Sequence, residues 1–191
     1  YIDIGCNHPI KYNNTYLLYK RGWNGINIDL DKKSIDEFKL LRKNDENIQA
    51  LVSNKVKIKD IYFYHDRSAI NTVSTKLANY RKKKFKIVKE KSTTLNHIIK
   101  KTRFYNKKID FLTIDVENHE YEVLKNFDFK KHKIRLIVCE NTDMSQKNLE
   151  TQNINFKQIF NSKIYKLLKK NNYKLINLVN SDLVFYKAEN D

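Results

Sequence analysis

Glycine and proline are nearly missing from this chain of 191 residues, which has three glycines and one proline. All four lie in the first 25 positions, at Gly5, Pro9, Gly22 and Gly25. Glycine adopts left-handed backbone without steric cost, so tight turns and close backbone approach are concentrated at this end of the chain. Cysteine is as scarce. Cys6 and Cys139 are too few for a disulfide framework and too far apart for a zinc site. Set beside apolar runs, they read as two reduced, buried thiols of a cytoplasmic protein. No apolar run approaches the ~18 residues of a membrane span. The first residues carry an acid inside a strand pattern, unlike a signal peptide. There is no internal repeat and no low-complexity linker. Residues 1–191 read as one domain, and the absence of an initial Met suggests an N-terminal extension upstream.

What is present points to a folded globule: 40% hydrophobic and 12% aromatic residues, more of both than a disordered chain carries. Charge is lopsided, with 38 Lys and Arg against 22 Asp and Glu, a net +16. Such a charge suits nucleic acid or another polyanion. The lysines, however, are spread along the whole chain together with Asn and Ile, as AT-rich coding produces. The densest run, Arg81-Lys82-Lys83-Lys84, lacks interleaved aromatics on which bases would stack. A nucleic-acid partner is therefore not favoured.

Short apolar runs alternate with longer amphipathic stretches. Strands are expected at Tyr1–Ile4, Gly25–Asp29, Ile48–Val52, Ile61–Tyr64 (an edge), Ile109–Ile114, Leu136–Cys139, Tyr173–Leu178 and Leu183–Tyr186. Helices are expected at Asn14–Lys20, Ser34–Arg42, Leu95–Lys101, Glu120–Asn126 and Phe156–Lys170. Asn13 or Asn14 would cap the first, and Thr93 or Thr94 the third. The turn residues Val179-Asn180-Ser181-Asp182 join the last two strands as a hairpin. Alternation of this kind predicts an α/β fold: a mostly parallel sheet, helices on both faces and one antiparallel strand at the end. Ligands of such sheets lie beyond the carboxyl ends of the strands.

Carboxylates and amides gather at those ends. They are Gly5-Cys6-Asn7-His8-Pro9, Asp29-Leu30-Asp31, Ser53-Asn54, Asp115-Val116-Glu117-Asn118-His119-Glu120 and Glu140-Asn141. Gly5 would allow a close backbone approach. Asp29, 24 positions later, stands near the ~20-residue spacing of a ribose-binding acid. Asp31 reads as the start of the next helix, where an acid offsets the dipole. The first loop has one glycine, against three in a dinucleotide fingerprint, and no Gly-Lys-Ser/Thr. A pyrophosphate would lack its cradle, so an NAD enzyme is excluded. A nucleoside cofactor without phosphates fits.

These residues resemble the FkbM-type methyltransferases. The likeness runs through Tyr1–Pro9, Asn14-Thr15, Gly22–Asp29, Ala50–Ser53, Thr94-Leu95 with Ile98, Ile109–Glu117, His119-Glu120, Val123-Leu124 and the strand ending in Glu140. The resemblance implies a Rossmann-like class I methyltransferase sheet of seven strands, with the last antiparallel. It implies S-adenosylmethionine as cofactor and O-methylation of a hydroxyl on a sugar, glycan or related small molecule. The family usually has Gly where Asn118 stands and often Ala at Cys6. Asn tolerates left-handed geometry, so the turn survives.

On this basis Asp3, Gly5 and Asn7 are expected at the methionine end, Asp29 at the ribose with Leu30 beside it, and Ser53 near the adenine. Asp115, Glu117 and His119 are expected at the reacting centre, with Asp115 also touching the cofactor. Glu120 reads as a first-turn acid favoured by the helix dipole. His119 is equally readable as a helix-start histidine, and His8 as a neighbour of the cofactor or of Pro9. Asp115 with Glu140-Asn141 would suit Mg²⁺, but isolated strand-end acids more often hydrogen-bond a cofactor, so no metal is expected. Loops 65–84 and 141–155 are expected to shape the acceptor pocket. The competing readings are a methyltransferase of RNA or another polyanion, and a non-catalytic binding module on the same fold.

Overall fold

A computed structural model describes residues 1–141, 156–179 and 181–187. Its main sheet has seven strands: β1 (Ile2–Ile4), β2 (Ile26–Asp29), β3 (Glu46–Gln49), β7 (Phe111–Ile114), β8 (Leu136–Glu140), β9 (Tyr173–Val179) and β10 (Asp182–Lys187). They lie in the order β3-β2-β1-β7-β8-β10-β9. β10 is antiparallel to β8 and β9, and the other pairings are parallel. A smaller sheet joins β4 (Leu51–Val52), β6 (Lys86–Thr93) and β5 (Ile58–Phe63). The described helices are α1 (Tyr16–Lys20), α2 (Lys32–Leu41), α3 (Thr75–Arg81), α4 (Leu95–Lys100), α5 (Glu120–Leu124), α6 (Phe156–Asn161) and α7 (Lys163–Lys170). This is the Rossmann-like arrangement expected, with the chain reversing its order between β1 and β7.

The two faces of the sheet differ in chemistry. In the register, Ile2, Ile26, Leu112, Ile137 and Phe185 form one straight row, and Ile4, Ile28, Ile114, Cys139 and Leu183 a second. All ten are buried. Each contributes about 1.5–3 kcal/mol by leaving water, and α4, α5 and α7 complete this core. The residues between them point the other way: Asn47, Asn27, Asp3 and Thr113 stand side by side on successive strands. Asp3, Asn27 and Thr113 are buried as well.

That polar row is covered by loop 7–15, α2 and Arg42. Arg42 has no exposed surface. Its Nε and Nη2 donate to the Pro9 carbonyl at 2.8 and 2.6 Å, and its Nη1 donates to Thr15 Oγ1 at 2.7 Å. Its guanidinium lies 5.0 Å from the Phe38 ring centroid and 5.5 Å from that of Tyr19. Thr15 Oγ1 in turn donates to Asp3 Oδ2, which also accepts from Asn13 Nδ2. Burial pushes the Asp3 carboxyl up to about 6.

Four expectations change. The single strand Ile48–Val52 is two strands in different sheets, because the chain leaves β2 after Gln49 and joins β6 at Leu51. The helix Phe156–Lys170 is broken at Ser162, whose extended backbone and side-chain bond to Tyr165 N cap a new helix. Loop 65–84 contains α3, capped by Ser74. The first helix opens at Tyr16, with no side-chain bond from Thr15 capping it; Asn13 Oδ1 holds the Thr15 N–H instead. The expected cap at Thr94 is present, accepting from His97 N. The joint at Asn180, and residues 142–155 of the second expected acceptor loop, lie outside the described residues. No described helix is long and apolar enough to cross a membrane.

Removing one partner of a buried charge network leaves the others unpaired and costs about 3–5 kcal/mol. Arg42→Ala is therefore expected to lower unfolding free energy by about that amount in urea titrations. Arg21→Ala, on the exposed end of α1, should change it by roughly 0.5 kcal/mol or less.

Candidate active site

The cleft lies where the strand order reverses, between the carboxyl ends of β1 and β7. Gly5 sits there at φ +78°, and a Cβ on it would stand 1.7 Å from the Asp115 carbonyl oxygen. Only glycine permits that approach. The N–H groups of Gly5 and Asp115 tie this end of β1 to Ile28 O and to β7 through Ile4 O, at 2.8 and 2.9 Å. Asn7 follows with φ +49° and donates its N–H to Asp29 Oδ2 at 2.9 Å. Asp29 Oδ1 accepts from Asp31 N at 2.8 Å. Burial pushes the Asp29 carboxyl up to about 6 against these donors. Asp31 does start α2, its side chain accepting from Lys33 N and Ser34 N.

The cleft brings together Gly5, Asn7, Asp29, Leu30, Asp115, Glu117 and His119 of the expected set. Asp3 and Ser53 are not part of its lining. Asp3 is turned to Asn13 and Thr15 and supports the loop from behind. Ser53 is fully buried and its Oγ lies 3.1 Å from His119 Nε2, so it acts on the site through that ring. His8 closes its own turn, Nδ1 accepting from Ile10 N and Lys11 N.

After β7 the chain makes an unusual turn, with Glu117 at φ +57° and Asn118 at φ +72°. Asn118 thus holds left-handed geometry where glycine is more common. Glu120 fixes the turn, its Oε1 accepting from Val116 N and Asn118 N at 3.0 and 3.2 Å. The Glu117 carboxylate pairs with Arg81. Asp115 opens onto the cleft and hydrogen-bonds the Glu140 carboxyl behind it. Burial, then the neighbouring Asp115 charge, pushes Glu140 up to about 10, so the two carboxyls share a proton near neutral pH. Glu140 was weighed only as part of an Mg²⁺ set with Asp115 and Asn141, and its carboxyl pairing with Asp115 was not expected.

Oxygens of Asp115, Glu120 and Glu140 lie within 4.8 Å of one another and form the one group of described residues able to gather on a hard cation. In this structure Glu120 is engaged with backbone N–H groups, and Asp115 with Glu140.

The far wall of the cleft is the segment 68–73, part of the loop 65–84 that was expected at the acceptor pocket. Polar ties hold this stretch: Arg67 N to Asp31 Oδ2 at 2.5 Å, Arg81 Nη1 to Ile70 O at 2.6 Å, Thr72 Oγ1 to Glu117 O at 2.7 Å, Tyr64 N to Asn71 Oδ1 at 2.9 Å, and a backbone bridge to β5 in which Tyr62 N donates to Thr72 O at 2.8 Å and Thr72 N to Tyr62 O at 3.3 Å. The cleft beneath it has about 60 Å³ of free volume, room for about two waters, against the roughly 300–1,000 Å³ of ordinary ligand sites.

The fold is an α/β arrangement of the Rossmann-like methyltransferase type. The methyltransferase FkbM domain model matches residues 3–175, and the chain belongs to that family. No curated protein and no solved structure gives a match.

His119 is buried, and desolvation, with Lys59 nearby, lowers its imidazole to about 4. A base depressed in the fold adds stability that is present above its unfolded value of 6.5 and lost as pH falls through about 4. NMR titration should show one imidazole neutral down to about pH 4. His119→Gln should lose stability less steeply than the parent between pH 6.5 and 4.

Proposed function

We propose that the protein is an S-adenosylmethionine-dependent O-methyltransferase whose acceptor is a hydroxyl of a sugar, glycan or related small molecule. The observation that carries this reading is a reversal of charge. The chain is +16 overall, yet the cleft is lined by Asp29, Asp115 and Glu117 with no lysine or arginine. Phosphates would be repelled there. A nucleoside bearing a sulfonium and an ammonium would be attracted, and the low-dielectric walls strengthen that attraction.

The residues fit such a cofactor. Asp29 would accept from the ribose hydroxyls, with Leu30 and Val52 beside the base. The Gly5–Asn7 backbone and Asp115 would hold the amino-acid end. When bound, the cofactor supplies an electrophilic methyl group. The protein's part is to orient and to exclude water, and positioning alone supplies about 7–11 kcal/mol of such a barrier. A carboxylate that takes the hydroxyl proton adds roughly 10²–10⁴ in rate. Of the two cleft acids that follow β7, Asp115 has no salt bridge among the described residues, whereas Glu117 is bound to Arg81. Neutral His119, braced by Ser53, stands ready to accept or donate a hydrogen bond.

The polyanion reading draws on the same +16, but its charge lies away from the lining. Calorimetry with S-adenosylhomocysteine is expected to show binding, weakened about 10- to 100-fold by Asp29→Ala, the loss of hydrogen bonds to a charged group. Absence of binding in the parent protein would instead favour a non-catalytic module. RNA binding that falls steeply with salt would favour the polyanion acceptor.

A further inference from the structure

A second cavity opens on the other side of His119. Its free volume is about 240 Å³, room for about eight waters, which suits one five- or six-membered ring. Asn118, Tyr121, Glu140 and Asn141 are among its lining residues, and His119 lines both cavities. Two of its groups lack partners. Glu140 Oε2 and Asn141 Nδ2 are buried without a hydrogen bond among the described residues, and Asn141 is only 5% exposed. An acceptor and a donor left open on one cavity are costly in a folded protein unless a ligand serves them.

A hydroxyl serves both. It donates to the carboxyl oxygen and accepts from the amide, and keeps a second lone pair. An ammonium would find the carboxylates but has no lone pair to offer. A phosphate or carboxylate would meet one cation of the lining, Lys163, against three acids, Glu120, Glu122 and Glu140. The two cavities are joined chemically by the Asp115–Glu140 carboxyl pair, with Asp115 on the nucleoside side and Glu140 on the other.

We propose that this second cavity is the acceptor site, that it takes one uncharged hydroxyl-bearing ring, and that Glu140 and Asn141 are its catalytic residues. The inference rests on the methyltransferase reading above. The acceptor oxygen forms its bond to the methyl carbon as the carbon–sulfur bond breaks, its electron pair going to sulfur. The hydroxyl proton passes to Glu140 Oε2 while the proton already on Glu140 passes to Asp115. Both carboxyls end protonated, and one proton is later released to water.

The test uses the full chain saturated with S-adenosylhomocysteine and saturation-transfer NMR with methyl glucopyranoside as the probe. A saturable signal is expected from this neutral glycoside and none from the matching glucuronide. Asn141→Leu, which fills the cavity, and Asn141→Asp, which keeps its shape but removes the donor, should each weaken the glycoside at least tenfold. Both should leave S-adenosylhomocysteine affinity within about twofold. The proposal is overturned if the glycoside does not bind, if both variants bind it like the parent, or if the glucuronide binds more tightly. Should S-adenosylhomocysteine itself fail to bind, the methyltransferase reading falls first, and this inference with it.

Discussion

A full positive charge with no exposed surface is held under the sheet by Arg42, and the shape of the cleft depends on how that charge is satisfied. A guanidinium has five donors in a fixed plane. Here they meet the carbonyl of Pro9 and the oxygens of Asn13 and Thr15, all in the loop between β1 and α1. The loop is therefore pinned from below, and Asp3 is neutralised through Thr15 and Asn13 rather than by direct contact. With residues 9–15 fixed, Asn7 is left with a positive φ and its N–H pointing at Asp29. The acid that would take a ribose is thus positioned through a charge on its own face of the sheet, the polar face it shares with Asn27.

Gly5 carries the second constraint. β1 and β7 end so close together that a side chain has no room between them. This brings the Asp115 turn against the β1 loop and leaves Asp29, Asp115 and Glu117 facing one small volume. Three carboxylates there would repel each other. One is answered by Arg81, and Asp115 is answered by a proton shared with Glu140. A cationic ligand would relieve the same repulsion. The site is electrostatically incomplete in a way that selects for positive charge, although the protein as a whole repels it.

Much of this was legible in residue order. Ile-Asp-Ile, Ile-Asn-Ile and Leu-Thr-Ile alternate on three strands that prove to be neighbours in register. The scarcity of glycine marked Gly5, and Asp29 and Asp115 followed from their places at strand ends. Other features were hidden for physical reasons. Residues 46–52 are extended throughout, so periodicity cannot show that the partner strand changes at Ala50. Ser162 breaks a helix whose apolar pattern continues across it. Asp3 and Ser53 stand where site residues are expected, but their side chains point to Thr15 and His119, an orientation that spacing alone does not give. Arg42, at the end of an amphipathic helix, resembles any helix-terminal cation until its partners are known.

The small free volume of the cleft has a consequence for how it works. The strand side of the pocket cannot yield, because Ile4 and Ile28 belong to the close-packed rows of the core. Segment 68–73 is held differently, by polar ties to Asp31, Glu117 and Arg81 and by paired backbone bonds with Tyr62 of β5, and ties of this kind exchange with water at small net cost. Arg81 binds both Ile70 O and the Glu117 carboxylate, and Thr72 binds the Glu117 carbonyl. Movement of the segment therefore strips Glu117 of its neighbours as space opens beside it. A cationic nucleoside entering as proposed would then meet a carboxylate freed toward it, so the charge that would draw it in is strongest where space opens.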